Sequence, residues 1–537
     1  MKKNILLFII MLGIILGRIC IFFHNQTLTL EKPVKSYETI SPKYQSRGYT
    51  NLYRTSLANY YFTYEMDDFA KELIWKAEII LQTAINKYHI QPMIPGVVNI
   101  CFRGNSIFYE GNSKIDYLEI NPNDKMQEGI LMYFVSGGKL PIWLCSGLEK
   151  YWINQYRGIQ SEFNLGLWIC DAQKNNLPVL GDEWFIPNLI KSELSKDVTA
   201  AAEKLVECLD YKNKLHSLIK CYLEDNFKNA GKIYYSEMEC VSNTNLKDTN
   251  FYFHYYINQY QEDIHKDVLF SVQAEEAIYY FSDNDFWNLA NVHEYLKTGE
   301  SSITYTEEWF DKENSELLKV YYIITDNINL TGQYSYPDKK EIYYCNMKKY
   351  PPIGVVHEAV HVMLELFGYH TQGLYEEGRG RGQEPFEEDL CAAISILYTM
   401  ETGDETAIRN NYIQNLQILR GYCGDDATLE YLLTVISQGG DANKTNAYIW
   451  SDLIAIQTIK KEDLEKKVNK SEDRKLYLLN PDVGSAFLVH LLEKGERIDL
   501  LEIYENVNCA KEIYGQTLNE LIDEWIIHLK MYAYKGK

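Results

Sequence analysis

The run VVHEAVHVMLELF, Val355 to Phe367, leaves this chain fewer alternatives than any other stretch of its 537 residues. Pro351 and Pro352 can open a helix, where a missing N–H costs nothing, and Gly368 can close it. The spacing predicts a helix from about Ile353 to Phe367. Val356, Val360, Met363, Leu364 and Phe367 cover much of its surface, so the helix is expected to be largely buried with its polar groups turned to a cleft. Residues four apart share a helix face. The imidazoles of His357 and His361 therefore project side by side, at a separation one metal ion can bridge. Glu358 lies one residue round, where a carboxylate can take a proton from a metal-bound water instead of coordinating the ion. A five-residue motif also arises by chance. Here, however, two histidines and a glutamate buried without a ligand would leave costly polar groups to satisfy, and zinc is the expected cofactor.

A tetrahedral hydrolytic site wants three protein ligands and one open position. The metzincin pattern would need a glycine at position 364 and a histidine at 367. Leu364 and Phe367 stand there, and His370 falls nine residues after His361, so that subclass is excluded. "LYEEG" puts Glu376 and Glu377 15 and 16 residues past His361, enough for a turn and a return on a second helix. Either glutamate can complete the set.

The rest of the chain bounds the setting. A formal net charge of -22 with no compensating Lys/Arg stripe excludes nucleic acid as a natural partner. "MKKNILLFIIMLGIILGRICIFF", residues 1–23, sets two lysines ahead of an apolar run, as in an export signal or membrane anchor. The first alanine is Ala58, so no A-x-A-like cleavage site follows. Retention as an anchor, with Lys2 and Lys3 inside and the bulk of the chain outside, is expected, and secretion is the alternative. The 11 cysteines include no C-x-x-C pair and read as small buried hydrophobes. Residues 24–57 are polar and contain proline, which suits an extended linker, with folding expected to begin near Ala58.

From there "NYYFTY" reads as an aromatic strand, followed by an amphipathic helix with Phe69, Leu73, Ala77, Ile80 and Leu81 on one face. Strands follow in "GVVNICF" and "KIDYLEIN", a helix in "KMQEGILMYFV", and then "LPIWLCSGLEKYW". The order returns from Asn250, which points to a diverged internal duplication. Its offset grows from 191 residues (Tyr64 to Tyr255) to 230 (Gln127 to His357), implying an insertion near "DNDFWNLANVHEY". From Pro385 onward the pattern is helical, and Thr517 with Glu520 forms a capping box.

The HExxH, a following glutamate-glycine motif, the strand "EIYYCN" ahead of it and the tail "YGQTLNELIDEWIIHL" together resemble the gluzincin metallopeptidases, especially the bacterial peptidase MA-like group. The resemblance covers about Asn250 to Tyr532. It implies His357 and His361 as zinc ligands, Glu358 as general base, and Glu377, which precedes Gly378, as third ligand. Where the family continues Gly-Leu-Ala-Glu-Tyr this chain has "GRGRGQ", so Glu376 stands next in line, with Glu384 and Glu387 as remoter substitutes. In the first copy Gln127 and Leu131 replace the histidines, only Glu128 remains, and Ser146 stands where the glutamate belongs.

The expected architecture is thus α+β. Two zincin-like α/β modules, a degenerate one at 58–235 and a catalytic one at 236–384, precede an all-helical subdomain at 385–537. The expected function is a zinc metallopeptidase acting on peptide or protein substrates outside the cytoplasmic membrane, with "EIYYCN" as an exposed edge strand that pairs with the substrate. The alternatives are an inactive extracytoplasmic scaffold of peptidase ancestry and a zinc hydrolase acting on a non-peptide bond.

Overall fold

The computed structural model describes residues 30–36, 38–63, 68–90, 97–102, 118–120, 129–244, 246, 251–256, 267–313, 316–324, 332–345, 355–369, 385–402, 481–505 and 509–517, with positions 520, 521, 524, 525 and 527. The chain is α+β, with two mixed sheets and a helical C-terminal region, and it divides into two compact units, 1–272 and 273–537.

The first sheet has the order β1 (Val34–Lys35), β2 (Asn51–Arg54), β3 (Ala58–Phe62), β4 (Val98–Phe102), β5 (Leu118–Ile120). β1, β2 and β3 pair antiparallel, whereas β3, β4 and β5 run parallel. A parallel pair needs a crossover. Helix α2 (Asp68–Gln82) supplies it, burying Leu73, Ala77, Ile80 and Leu81. Its buried Glu78 accepts hydrogen bonds from Thr55 Oγ1 and Tyr60 OH, both at 2.7 Å, and so ties the helix to the β2–β3 turn.

Folded structure therefore begins well before Ala58, where the linker was expected to end. The short helix α1 (Pro42–Gln45) and its neighbours lay Ile40, Tyr44 and Tyr49 against Leu52, Tyr61 and Cys101, and Tyr44 stacks on Tyr61 at 4.1 Å. Polar composition concealed this because a few aromatic residues suffice to cover one face of a small sheet.

The second sheet has the order β10 (Gly332–Tyr336), β11 (Glu341–Cys345), β9 (Leu318–Ile323), β8 (Ala277–Ser282), β7 (Val268–Gln273), β6 (Tyr252–Tyr255). β8, β9 and β11 are parallel, and β10 joins β11 antiparallel. The crossover helix from β8 to β9, α9 (Leu289–Phe310), carries Glu300, which accepts from Tyr279 OH at 2.8 Å and from Glu275 N and Glu276 N at 2.9 and 3.0 Å.

Both sheets thus use the same device: a glutamate from the crossover helix grips the hairpin turn and a tyrosine of the next strand. Thr55 N to Ala58 O and Ala274 N to Ala277 O are equivalent bonds of 2.9 Å. The matching strands are Ala58–Phe62 and Ala277–Phe281, an offset of 219 residues instead of the 191 expected. The stretch after Asn250 forms β6 at the far end of the sheet, in the position of β1. Its aromatic residues imitate those of β3, and composition alone does not fix which strand is which.

Between the sheets in sequence run α3 (Ile130–Val135), α4 (Ile142–Arg157), α5 (Leu165–Lys174), α6 (Val198–Tyr211), α7 (Leu215–Leu223) and α8 (Phe227–Ser242). After the second sheet come α10 (Val355–Phe367), α11 (Pro385–Thr402), α12 (Pro481–Lys494), α13 (Arg497–Glu505) and α14 (Ala510–Tyr514). The capping box forms as expected: Thr517 N donates to Glu520 Oε2 at 2.7 Å and Glu520 N to Thr517 Oγ1 at 3.3 Å. Of the nine described cysteines Cys101, Cys145, Cys345 and Cys391 are buried, four are half-buried and Cys240 is exposed, so the expectation of buried hydrophobes holds for four of them. Among the described residues no helix is long and apolar enough to cross a membrane, and the expected anchor, 1–23, lies outside them.

Candidate metal centre

Helix α10 ends where the sequence says it should. Gly368 takes a φ of 74°, a left-handed conformation that favours glycine, and Tyr369 N returns to Leu364 O at 2.9 Å. Val355, Val356, Ala359, Val360, Val362, Met363 and Leu364 are buried, so the helix is held on most of its circumference. His357 is half-buried, and Glu358 and His361 are each only 5% exposed. The two imidazole rings lie 5.1 Å apart at 70°, side by side as the four-residue spacing requires.

His361 is fixed from the neighbouring helix. Its Nδ1 lies 2.6 Å from Glu387 Oε1 on α11, and Tyr504 OH on α13 donates to Glu387 Oε2 at 3.3 Å. A carboxylate contact of this kind orients the imidazole ring. Glu387 entered the sequence reading only as a remote third ligand. The geometry places it behind the imidazole, with an orienting contact.

A further polar group lies on the strand side. Tyr344 of β11 is buried, and among the described residues its hydroxyl has no hydrogen-bond partner. Burial, and secondarily the charge of Glu358, push the phenol well above its usual range, so it remains a neutral hydroxyl close to that carboxylate. The signal in the sequence was the alternation of "EIYYC", which sends Ile342 and Tyr344 to one face of the sheet.

The described residues supply two imidazole donors with a carboxylate beside them. Among them no group of three His, Cys, Asp or Glu side chains gathers as a metal site. Glu377, Glu376, Glu384 and His370 lie outside the described residues.

"EIYYCN" is not an edge strand. β11 is hydrogen-bonded on both sides, with Tyr343 opposite Tyr321 of β9 and Tyr334 of β10. Among the described strands the edge is β10, joined to β11 through a tight turn at Pro337–Lys339. Tyr280, Tyr321, Tyr343 and Tyr334 stack across four strands at centroid spacings of 4.5, 4.4 and 5.0 Å, which pins the register. "GQYSY" carries a weak strand signal because it contains glycine, glutamine and serine, and only its cross-strand tyrosine contacts make it a strand.

Of the positions matched to the motif in the first unit, Leu131 on α3 is buried, Gln127 and Glu128 lie outside the described residues, and Ser146 on α4 is buried with its hydroxyl lacking a partner among the described residues. Gly129, at φ 102°, meets α4 so closely that a Cβ there would lie 2.7 Å from Ser146 N. The buried Glu149 of α4 accepts from Gly129 N at 2.8 Å and Met132 N at 2.9 Å, satisfying the open end of α3.

Comparison of the chain with protein-family models, with curated proteins and with solved structures gives no match. What the described residues define is an α+β chain whose second sheet is followed by a buried helix bearing paired imidazoles.

Proposed function

We propose that the chain is a gluzincin-type zinc metallopeptidase that hydrolyses peptide bonds outside the cytoplasmic membrane, tethered there by residues 1–23. Its second half is read as the zincin-like catalytic module and its first as a degenerate one. The observation that carries the reading is the placement of His361: buried, paired with His357, and contacted at Nδ1 by Glu387. Two imidazoles and a carboxylate are a donor set that suits zinc, with His357, His361 and Glu377 as the ligands.

Held by these residues, zinc would supply Lewis acidity to a water and to the peptide carbonyl. Glu358, off the ligand face of α10, accepts the water's proton on its carboxylate and delivers it to the departing amine nitrogen. Glu387 keeps His361 in one tautomer and one orientation. β10, the outer strand among the described residues, binds the substrate in extended form by strand addition, the role first expected of β11. In the first unit Leu131 and Ser146 stand where the motif would need metal ligands, so that half is assigned a packing or substrate-positioning role.

The test separates ligand from base. Glu358→Gln should retain zinc while hydrolysis of an unstructured protein collapses, and His361→Ala should lose both. A Glu358→Gln protein that hydrolyses as fast as its parent would put the scaffold reading in place of the peptidase.

A further inference from the structure

We propose that Tyr504, from the helical tail, is a positioning residue of the metal centre: its hydroxyl fixes Glu387, which in turn fixes His361. The inference rests on the zinc reading given above and adds to it a dependence on a helix far away in sequence.

Glu387 has a long side chain that rotates freely unless both ends of its carboxylate are engaged. Here the two oxygens are divided: Oε1 faces His361 Nδ1 at 2.6 Å and Oε2 accepts from Tyr504 OH at 3.3 Å. Any rotation that turned Glu387 towards a metal, or away from the imidazole, would break one of these contacts. The tyrosine is a rigid post. It is 2% exposed on α13, where Leu500, Leu501 and Ile503 are also buried. The same helix begins with Arg497, whose Nη1 donates to Glu308 O on the crossover helix α9 at 3.2 Å. The tail is thereby fastened to the body of its unit, and a phenol 117 residues from Glu387 reaches the carboxylate behind the imidazole. The role of the tail is therefore to complete the support of the site. An unsupported Glu387 would let the imidazole tilt and weaken its hold on an ion.

The experiment titrates the metal-free full-length chain with zinc against a competing chromophoric chelator, and records the visible absorption of the cobalt-substituted protein. The chains compared are the parent, Tyr504→Phe, Glu387→Gln, the double variant, and Tyr514→Phe, which removes a buried hydroxyl from α14 of the same tail. Folding is checked by circular dichroism, and titrations are read well below the lowest melting temperature. Glu387→Gln should weaken zinc by roughly 10- to 100-fold and Tyr504→Phe by about 3- to 10-fold, with an altered cobalt spectrum in both. In the Glu387→Gln background Tyr504→Phe should add nothing, because it acts through that carboxylate. Tyr514→Phe should bind as the parent does. Parent-like affinity of Tyr504→Phe, or losses that simply add in the double variant, would overturn the positioning role and leave the zinc reading standing. A parent chain that binds no zinc would overturn both.

Discussion

Asp182 is buried at the N-terminal end of α4, where Oδ1 accepts from Trp143 N and Oδ2 from Tyr255 N, both at 3.0 Å. Burial outweighs these donors and pushes its pKa up to about 7, and burial likewise pushes that of the adjacent Glu183 up to about 8. Burial acts oppositely on His254, bringing it down to about 4. The two carboxyls are more readily protonated in the native state, so their contribution is fully present below the ordinary carboxylate range and is lost as pH rises through 7 and 8. The His254 contribution is present above its ordinary value of 6.5 and is lost as pH falls towards 4. Between about pH 6.5 and 8.5 only the carboxyls act, and the melting temperature should fall across that window. Glu183→Gln should flatten the fall. A parent that melts higher at the upper end, or a variant with an unchanged slope, would show that these carboxyls are not held protonated.

At the scale of elements, α10 was legible within two residues at its start and to the residue at its end, because prolines, an apolar face and a glycine all agree there. The capping box at Thr517 and Glu520 was equally local and equally readable. Glu387, Glu149, Glu78 and Glu300 were not. Each acts on a partner in another element, and nothing in the local pattern distinguishes a glutamate that grips a distant turn from one on a solvated face. The edge strand β10 was missed for a related reason, since its strand character comes from the tyrosines of its neighbours. The two helix-to-turn grips yield a paired prediction. Tyr60→Phe and Tyr279→Phe each remove a donor from a buried or partly buried carboxylate, and each should cost about 1–3 kcal/mol in chemical denaturation. A negligible cost at either position would show that its glutamate does not hold the turn.

The whole molecule has two sheets in which strand order, parallel core and helix-glutamate grip recur, yet paired imidazoles follow only the second. Periodicity and motif order made the repetition visible in the sequence. Its register was not, since aromatic strands resemble one another. Zinc that binds only the native state should raise the melting temperature as its free concentration rises above the dissociation constant. If His357 and His361 hold zinc while Glu358 serves it without binding it, metal analysis of the purified full-length chain, loaded with zinc and then dialysed, should find about one zinc per chain in the parent and in Glu358→Gln, and close to none in His361→Ala. Zinc absent from the parent, or retained undiminished by His361→Ala, would contradict it.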